Sequence, residues 1–305
     1  MATIERHPHV DDYILSFSLR ELAERNGAAD LVEAGNVVLI RDYRLNFDFE
    51  ALTKLSKSID SVEDLTIRRK LKKLTATQFF EGEPPVRSKR RLIFADRIRQ
   101  AIFDVLCQGD ETTYQRAARA LKLAHEEVLR IFGIAYPDYE SFRFIPSLRI
   151  TRTLFENLHW DNHSIDDDFH QARIFANLDV RPRIWHVSHR FTDYMRENYH
   201  ALNLQRFAGR DPNEMLSFIH AEVLGGFSEW WKEALPKHRI AFDPGEVWLG
   251  ESRFVSHQIY YGECAMVYMW FMQADQMVNA GNRFNERVAE IHAQMVTLPA
   301  ETHCS

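Results

Sequence analysis

Pro244–His257 reads PGEVWLGESRFVSH, a turn followed by a stretch rich in β-branched and aromatic residues that ends on a histidine. Earlier in the chain, Asn157–His163 reads NLHWDNH and places His159 and Asp161 two positions apart. Side chains two residues apart on a strand point to the same face, so these two can share one target. Two imidazoles and one carboxylate occupy one face of a metal ion and leave the other face open. The two segments together predict a metal site formed by His159, Asp161 and His257.

Each of the three residues also has an ordinary structural explanation. His159 can be a hydrogen-bonded residue beside a turn, Asp161 can belong to an Asx turn, and His257 can lie half-exposed on a sheet. The same spacing recurs in His9–Asp11, near the start of the chain, while His220–Glu222 falls in a predicted helix, where positions two apart diverge. Other histidines that can replace one of the three are close in sequence: His163, His170, His186 and His189.

The pattern of apolar residues changes near residue 140. Before it, a buried strand is predicted at Asn36–Asp42, followed by amphipathic helices around residues 88–107 and 111–133. After it, alternating stretches predict strands at residues 146–155, 172–180, 184–188, a segment that ends at His257, and 264–271. A helix is predicted from Asp211 through Trp231, and the tail from 273 to 296 is predicted to be helical.

Many short strands in the second half, with helices before and after them, predict an α+β fold with a closed or sandwiched β-core. A chain of 305 residues is long enough for one large domain with an ample core. We expect a single domain over residues 1–305. Its parts are an N-terminal strand and helical buttress over 1–140, the β-core over 141–272, and a C-terminal helix and tail over 273–305.

The net charge of −6 is unevenly distributed along the chain. Residues 68–99 contain eleven basic and three acidic residues, a net charge of +8, so the remainder carries −14. A block of this sign suits the phosphates of an anionic membrane surface, and it also occurs on ordinary solvated helices. We expect no nucleic acid partner, because the sequence has no recognised nucleic-acid-reading motif and is acidic as a whole.

No apolar run reaches the roughly 18 residues that a membrane-spanning helix needs, and the first residues lack an apolar secretion core. The three cysteines, Cys107, Cys264 and Cys304, are far apart and have no metal-binding spacing. They predict reduced thiols in a cytoplasmic protein. The basic block adds the expectation of a peripheral position at the inner face of the membrane.

At these motifs the chain resembles the iron(II)/2-oxoglutarate-dependent oxygenases, over roughly residues 140–272. NLHWDNH is similar to the segment that supplies the first two iron ligands, and Gly245–Gln258 resembles the strand that carries the third. Asn36–Asp42 resembles the strand that precedes the core in these enzymes. The resemblance implies a double-stranded β-helix core, of the jelly-roll or cupin-like kind, with flanking helices. Within this superfamily the chain looks most like the Kdo hydroxylases, which act on the 3-deoxy-octulosonic acid sugar of the lipopolysaccharide inner core.

The resemblance implies that Fe(II), 2-oxoglutarate and O2 are used to hydroxylate an unactivated C–H bond, with Kdo-lipid A as the suspected substrate. One alternative keeps the chemistry and changes the substrate to an amino acid, a peptide or a small natural product. Another alternative is a non-catalytic, cupin-like module that binds a sugar or a metal. Consumption of 2-oxoglutarate distinguishes the enzyme from the module.

The chain departs from the commoner family pattern in one respect. No Arg or Lys occurs from Gln258 to Asn282, where many members carry the cation that binds the far carboxylate of 2-oxoglutarate. An unpaired buried carboxylate is costly, and a bidentate arginine is the natural partner. We rank Arg173 first, Arg253 second and Arg149 third for this role, and Asn177 shares the predicted strand face of Arg173. Each arginine can instead form a surface salt bridge. The candidate anchors for an acidic sugar substrate are Arg181, Arg183 and Arg190.

Overall fold

The computed structural model describes residues 1–60, 62–88, 91–150, 153–161, 169–226 and 228–297. Within these residues the strands form a five-stranded sheet, a seven-stranded sheet and a separate two-stranded hairpin. The strands are β1 Thr3–Glu5, β2 Ile14–Ser18, β3 Val37–Arg41, β4 Leu74–Thr75, β5 Val86–Ser88, β6 Arg91–Ile93, β7 Ser141–Arg149, β8 Thr153–Leu154, β9 Phe169–Asn177, β10 Arg183–Arg190, β11 His238–Phe242, β12 Val247–Gly250, β13 Val255–Gly262 and β14 Ala265–Gln273.

Helices lie mainly before and after the strands of the second half. They are α1 Leu19–Glu24, α2 Ala29–Glu33, α3 Phe49–Asp60, α4 Leu65–Leu71, α5 Arg97–Ala101, α6 Glu111–Ala135, α7 Phe191–Asn198, α8 Pro212–Phe218 and α9 Phe284–Thr297. This mixture of helices and sheets confirms the expected α+β class. In the described part of the chain, no helix is both long and apolar enough to span a bilayer.

The order of the five-stranded sheet is β1-β11-β10-β13-β8, and that of the seven-stranded sheet is β2-β3-β12-β9-β14-β7-β4. Only β2 and β3 are parallel among these described strands. Aromatic side chains from the two sheets meet between them. Trp248 of β12 stacks on Phe242 of β11 with ring centroids 3.7 Å apart, and Phe175 of β9 meets Trp185 of β10 at 4.8 Å. The sheets therefore face each other across a buried layer.

Alternate side chains of β9 point into two different hydrophobic cores. Ile174 and Ala176 belong to the core between the seven-stranded sheet and the helices, whereas Phe175 belongs to the core between the sheets. The helix α6 covers the outer face, and its Phe132 stacks on Trp270 of β14 at 4.1 Å. Arg173 has the same parity as Phe175, so its side chain enters the space between the sheets. This space contains the candidate site.

The predicted helix at residues 111–133 is confirmed as α6, and the Asp110 side chain caps it by accepting the Thr113 N–H. The predicted helix at 88–107 is wrong in its first half. Residues 86–88 and 91–93 form a hairpin, and the helix begins only where Asp96 accepts the N–H groups of Ile98 and Arg99. A capping carboxylate set this start, whereas the spacing of apolar residues had suggested an earlier one.

The segment that ends at His257 is two strands in different sheets, where a single strand was predicted. The carbonyl of Glu251 accepts hydrogen bonds from Phe254 and Val255, which closes a turn between β12 and β13. The helix predicted from Asp211 through Trp231 is also shorter, because a left-handed Gly225 follows its final π turn. A Cβ on Gly225 would lie 1.9 Å from the Glu229 carbonyl oxygen, so this chain reversal requires glycine.

Candidate metal centre

His159 and His257 lie opposite each other on paired backbones. The N–H of each donates to the carbonyl of the other, at 3.1 and 2.9 Å. This bridge continues the ladder in which β8 pairs with the far end of β13. The two imidazole centroids are consequently 4.4 Å apart. Strand pairing thus places side by side two histidines that are distant in sequence.

Asp161 is fixed to the turn that precedes β13. Its N–H donates to the carbonyl of Ser252 at 2.8 Å, and the Ser252 hydroxyl donates to Asp161 Oδ2 at 2.5 Å. The other carboxylate oxygen, Oδ1, lies 3.5 Å from His159 Nε2. One candidate ligand atom from each of His159, Asp161 and His257 lies within 4.8 Å of the other two. The structure therefore brings together all three residues that the sequence singled out.

Hydrogen bonds orient both imidazoles. Nδ1 of His159 is 2.7 Å from the Asn157 carbonyl oxygen, and Nδ1 of His257 is 3.2 Å from that of Val255. A carbonyl oxygen can only accept, so each Nδ1 carries the hydrogen and each neutral ring has its lone pair on Nε2. Anchoring one ring nitrogen in this way is how proteins orient imidazoles that bind metals.

The electrostatics of the three residues favour a cation. Burial acts to raise the pKa of Asp161, but the charge of Arg173 and the two histidines hold it well below its usual range. Burial lowers the pKa of His257 to about 3, so this ring is neutral. Burial also acts to lower the pKa of His159, but the adjacent Asp161 carboxylate outweighs burial and raises that pKa. The ionised carboxylate of Asp161 and the two imidazoles can therefore bind a cation.

Arg173, the first-ranked anchor for 2-oxoglutarate, is engaged with the aspartate. Its guanidinium forms an ion pair with Asp161 Oδ2, and its Nε and Nη2 donate to Gln171 Oε1 at 3.0 and 2.8 Å. The side chain is buried between the sheets. The oxygen of Asp161 that faces away from His159 is therefore held by Ser252 and Arg173 together.

A cavity of about 330 Å³ opens beside the three residues, and its wall includes Arg149, Arg173 and Arg183. Arg183 is only 3% exposed and forms no ion pair within the described ranges. Burial lowers its pKa to about 10, because the interior disfavours the charged form. Its guanidinium lies over Gly262, where a Cβ would be 2.2 Å from Nη1, so glycine leaves room for it. Arg149 is exposed and likewise forms no ion pair with any described residue.

Two other residues predicted to bind the cofactor do not line the described walls of this cavity. The guanidinium of Arg253 lies over the ring of Phe284 at 4.3 Å. Arg253 itself lies in the turn before β13. Asn177 Nδ2 donates to the carbonyls of Arg181 and Phe242, at 2.9 Å each, which fixes the end of β9.

The alternative histidines do not join the cluster in the described part of the structure. His170 lies behind the site against Glu251, and His186 contacts Gln258. His189 lies 3.4 Å from Glu197, and His163 is outside the described residues. These positions leave His159 and His257 as the imidazoles next to Asp161.

His220 was not singled out from the sequence as a site residue, but it lies beside the candidate ligands. Its Nε2 accepts the Trp160 N–H at 3.2 Å, and burial lowers its pKa to about 4. It lines a second cavity of about 320 Å³, which shares His159 and Asp161 with the first. The two cavities therefore meet at the candidate ligands. No local spacing signals this, since His220 belongs to a π turn remote in sequence from Trp160.

No protein-family model matches the sequence, and no curated protein matches it. Similar solved structures include the Kdo hydroxylase KdoO, a non-heme Fe(II) alphaketoglutarate dependent dioxygenase. Its complex with succinate and Fe(III) has a TM-score of 0.60 at 13% identity, covering 96% of this chain and 99% of that one. Its complex with alphaketoglutarate and Fe(III) has a TM-score of 0.59 at 14% identity, covering 91% and 95%. This chain shares the fold of KdoO.

Behind the site, Glu251 is buried in the turn before β13. Its carboxyl oxygens accept the N–H groups of Gln171 and Arg253, at 3.0 and 3.3 Å. Burial raises its pKa to about 7, although Arg253 and Arg173 act in the opposite direction. The folded protein thus takes up a proton here at a pH where the unfolded chain has released it.

We expect Glu251→Gln to remove a pH-dependent cost of folding. The pKa of Glu251 is higher in the folded state than in the unfolded chain. The free energy of unfolding of the wild type, relative to that of the variant, therefore falls as pH rises from about 4.5 to 7 and then levels off. The shift corresponds to a relative loss of about 3 kcal/mol. Urea unfolding of both proteins between pH 4.5 and 8 measures this difference. Parallel stability profiles would contradict the burial of an ionisable Glu251.

Proposed function

We propose that this chain is an iron(II)- and 2-oxoglutarate-dependent dioxygenase that hydroxylates an unactivated C–H bond. The observation that carries the proposal is the convergence of His159, Asp161 and His257 beside a cavity lined by Arg183, which forms no ion pair with the described residues. The fold shared with KdoO supports it, because structures of that protein hold Fe(III) with alphaketoglutarate or succinate.

We also propose that the two sheets form a double-stranded β-helix within a single domain. Support comes from the path of the chain, which passes repeatedly between the sheets. Strands β9, β12 and β14 lie in the seven-stranded sheet, whereas β10, β11 and β13 lie in the five-stranded sheet. In this arrangement the bridge that follows β8 and the strand β13 provide His159 and His257, and the turn between β12 and β13 supports Asp161. The boundaries at residues 140 and 272 stay a prediction from the sequence.

The three candidate ligands fit iron(II). Nε2 of His159, Nε2 of His257 and Oδ1 of Asp161 would hold the ion, in the two-histidine and one-carboxylate set typical of mononuclear iron oxygenases. When bound with 2-oxoglutarate and O2, iron(II) supplies the oxidation that places one oxygen atom on the substrate, while the keto acid becomes succinate and carbon dioxide. The chain itself holds the ligand nitrogens in one tautomer and the carboxylate ionised.

The cavity with three arginines suits a dianionic keto acid. Arg173 is engaged with Asp161 and Gln171, so we assign it to holding the metal-binding carboxylate. Arg183 and Arg149 form no ion pair with the described residues, and we assign them to the far carboxylate of 2-oxoglutarate. Arg183 is the stronger candidate because a buried cation without a partner gains most from an anion. Arg183, at the start of β10, thereby takes the place of the Arg or Lys that is absent from Gln258 to Asn282.

We expect His159→Ala, Asp161→Ala and His257→Ala each to weaken Co(II) binding by at least about 100-fold, because each removes one ligand. Isothermal titration calorimetry and the visible spectrum of bound Co(II) measure this without any turnover. His186→Ala is the matched control, since this half-buried histidine contacts Gln258 on the same sheet. Unchanged Co(II) affinity in His257→Ala would rule out the proposed ligand set.

We expect the wild-type chain, with iron(II) and ascorbate, to convert 2-oxoglutarate to succinate in an oxygen-dependent reaction. Arg183→Met should raise the KM for 2-oxoglutarate by at least about 30-fold, because it removes a buried partner of a carboxylate. Arg181→Met is the control, since Arg181 is half-exposed and pairs with Glu263. An unchanged KM in Arg183→Met would exclude this anchor, and absence of succinate from the wild type would favour the binding module.

For the substrate, we propose the Kdo sugar of lipopolysaccharide or lipid A inner core, as in KdoO, whose described activity is Kdo hydroxylation. Mass spectrometry of lipid A–core extracts from cells with the chain should show one added oxygen atom on Kdo. Cells with the Asp161→Ala variant should lack it. Succinate formation without this product would favour an amino acid, a peptide or a small natural product instead.

A further inference from the structure

One surface of the protein combines exposed aliphatic side chains with exposed cations. It consists of α4, the described strands of the hairpin β5–β6, and Arg97 at the start of α5, and we call it the basic–apolar surface. Leu65, Val86 and Ile93 on it are 75%, 68% and 47% exposed. Single exposed aliphatic residues are common on soluble proteins, so the argument depends on how these are arranged.

The hairpin turns its aliphatic residues outward. Val86 and Ile93 are directly paired across the two strands, so their side chains lie next to each other on one face. On the opposite face, Leu92 is buried and its partner Arg87 reaches Glu111 of α6. The inner face thus anchors the hairpin to the protein, which leaves Val86 and Ile93 directed to the exterior.

The helix α4 repeats this division. Ile67 and Leu71 pack toward the hydrophobic core, one turn apart. Leu65, Arg69 and Lys72 follow the helical spacing of the opposite face, and all three are exposed. This face therefore presents one aliphatic side chain among cations. The helix lies against α5, which follows the hairpin after three residues, so both elements contribute to one region.

Five cations of this region can bind an external anion. In the described part of the chain no ion pair is formed by Arg69, Lys70, Lys72, Lys73 or Arg97, and all five are exposed. In contrast, Arg87 and Arg91 pair with Glu111 and Asp104. The five cations also lie in the segment that carries the +8 charge of an otherwise acidic chain. A partner of this surface is therefore expected to be anionic.

We propose that the basic–apolar surface docks onto an anionic lipid bilayer. Lipid phosphates would accept the cations, and Leu65, Val86 and Ile93 would enter the boundary between headgroups and acyl chains. Nucleic acid offers the same phosphates, but it leaves the three aliphatic side chains exposed to water. The combination of both groups on one surface thus favours the bilayer. This proposal rests on the surface alone and does not depend on the hydroxylase activity.

The test is flotation of the full chain with vesicles of phosphatidylcholine alone or with about one third phosphatidylglycerol. The chain should float with the anionic vesicles at 0.1 M salt or below, where screening is modest, and be released at about 1 M. It should not float with the neutral vesicles. Arg69→Glu/Lys72→Glu and, separately, Val86→Ser/Ile93→Ser should each reduce the lipid-bound to free ratio at least about tenfold.

Matched controls change the same chemistry elsewhere. Arg20→Glu/Arg210→Glu makes an equal change of net charge at exposed positions, and Phe142→Ser/Val278→Ser removes two exposed apolar side chains. Both should float like the wild type, and thermal unfolding should show that all four variants are folded. Equal binding to neutral and anionic vesicles would overturn the proposal, as would surface variants that float like their controls. Tighter binding to a DNA duplex that survives Val86→Ser/Ile93→Ser would point to nucleic acid instead.

Discussion

The candidate site depends on the pair of backbone hydrogen bonds between His159 and His257. The backbone of each residue donates to and accepts from the other, so the two residues are directly paired. Their side chains therefore project from the same face of the sheet, next to each other. Because β13 pairs with β10 on one side and with β8 on the other, the position of His257 is set by both neighbours. The aspartate joins them through Ser252, which lies in the turn that starts β13. One strand and the turn before it therefore define the site.

The charges around the site follow the rule that a buried ionic group needs a partner. Asp161 is buried beside Arg173, and Arg173 is in turn held by Gln171. This chain of contacts leaves Oδ1 of Asp161 directed to His159 and its other oxygen occupied. Arg183 is the exception, since it is buried without an ion pair in the described ranges. An exception next to the candidate ligands is what a cavity for an anionic cosubstrate requires.

Much of the architecture could be predicted from local pattern, and the errors have identifiable physical causes. The strands β3, β9, β10 and β14 were recognised because their apolar and β-branched residues are largely buried, and α6 because the helical spacing of its apolar residues matches its buried face. The second strand of the hairpin, β6, was mistaken for helix because its exposed Ile93 continues the helical spacing of the apolar residues that follow it. The turn at Glu251–Phe254 was missed because it is stabilised by a buried carboxylate and backbone bonds, which residue type alone does not reveal.

The sequence by itself determined the α+β class and the residues worth testing, because side-chain alternation and the chemistry of histidine and aspartate are local properties. Tertiary structure alone decided which histidines stand together and which arginines face the cavity. It also engaged Arg173 with Asp161, placed Arg253 over Phe284, and buried Arg183 without an ion pair to any described residue. The physical reason is that strand register and side-chain pairing join residues far apart in the chain, and their geometry exists only once both sheets have formed.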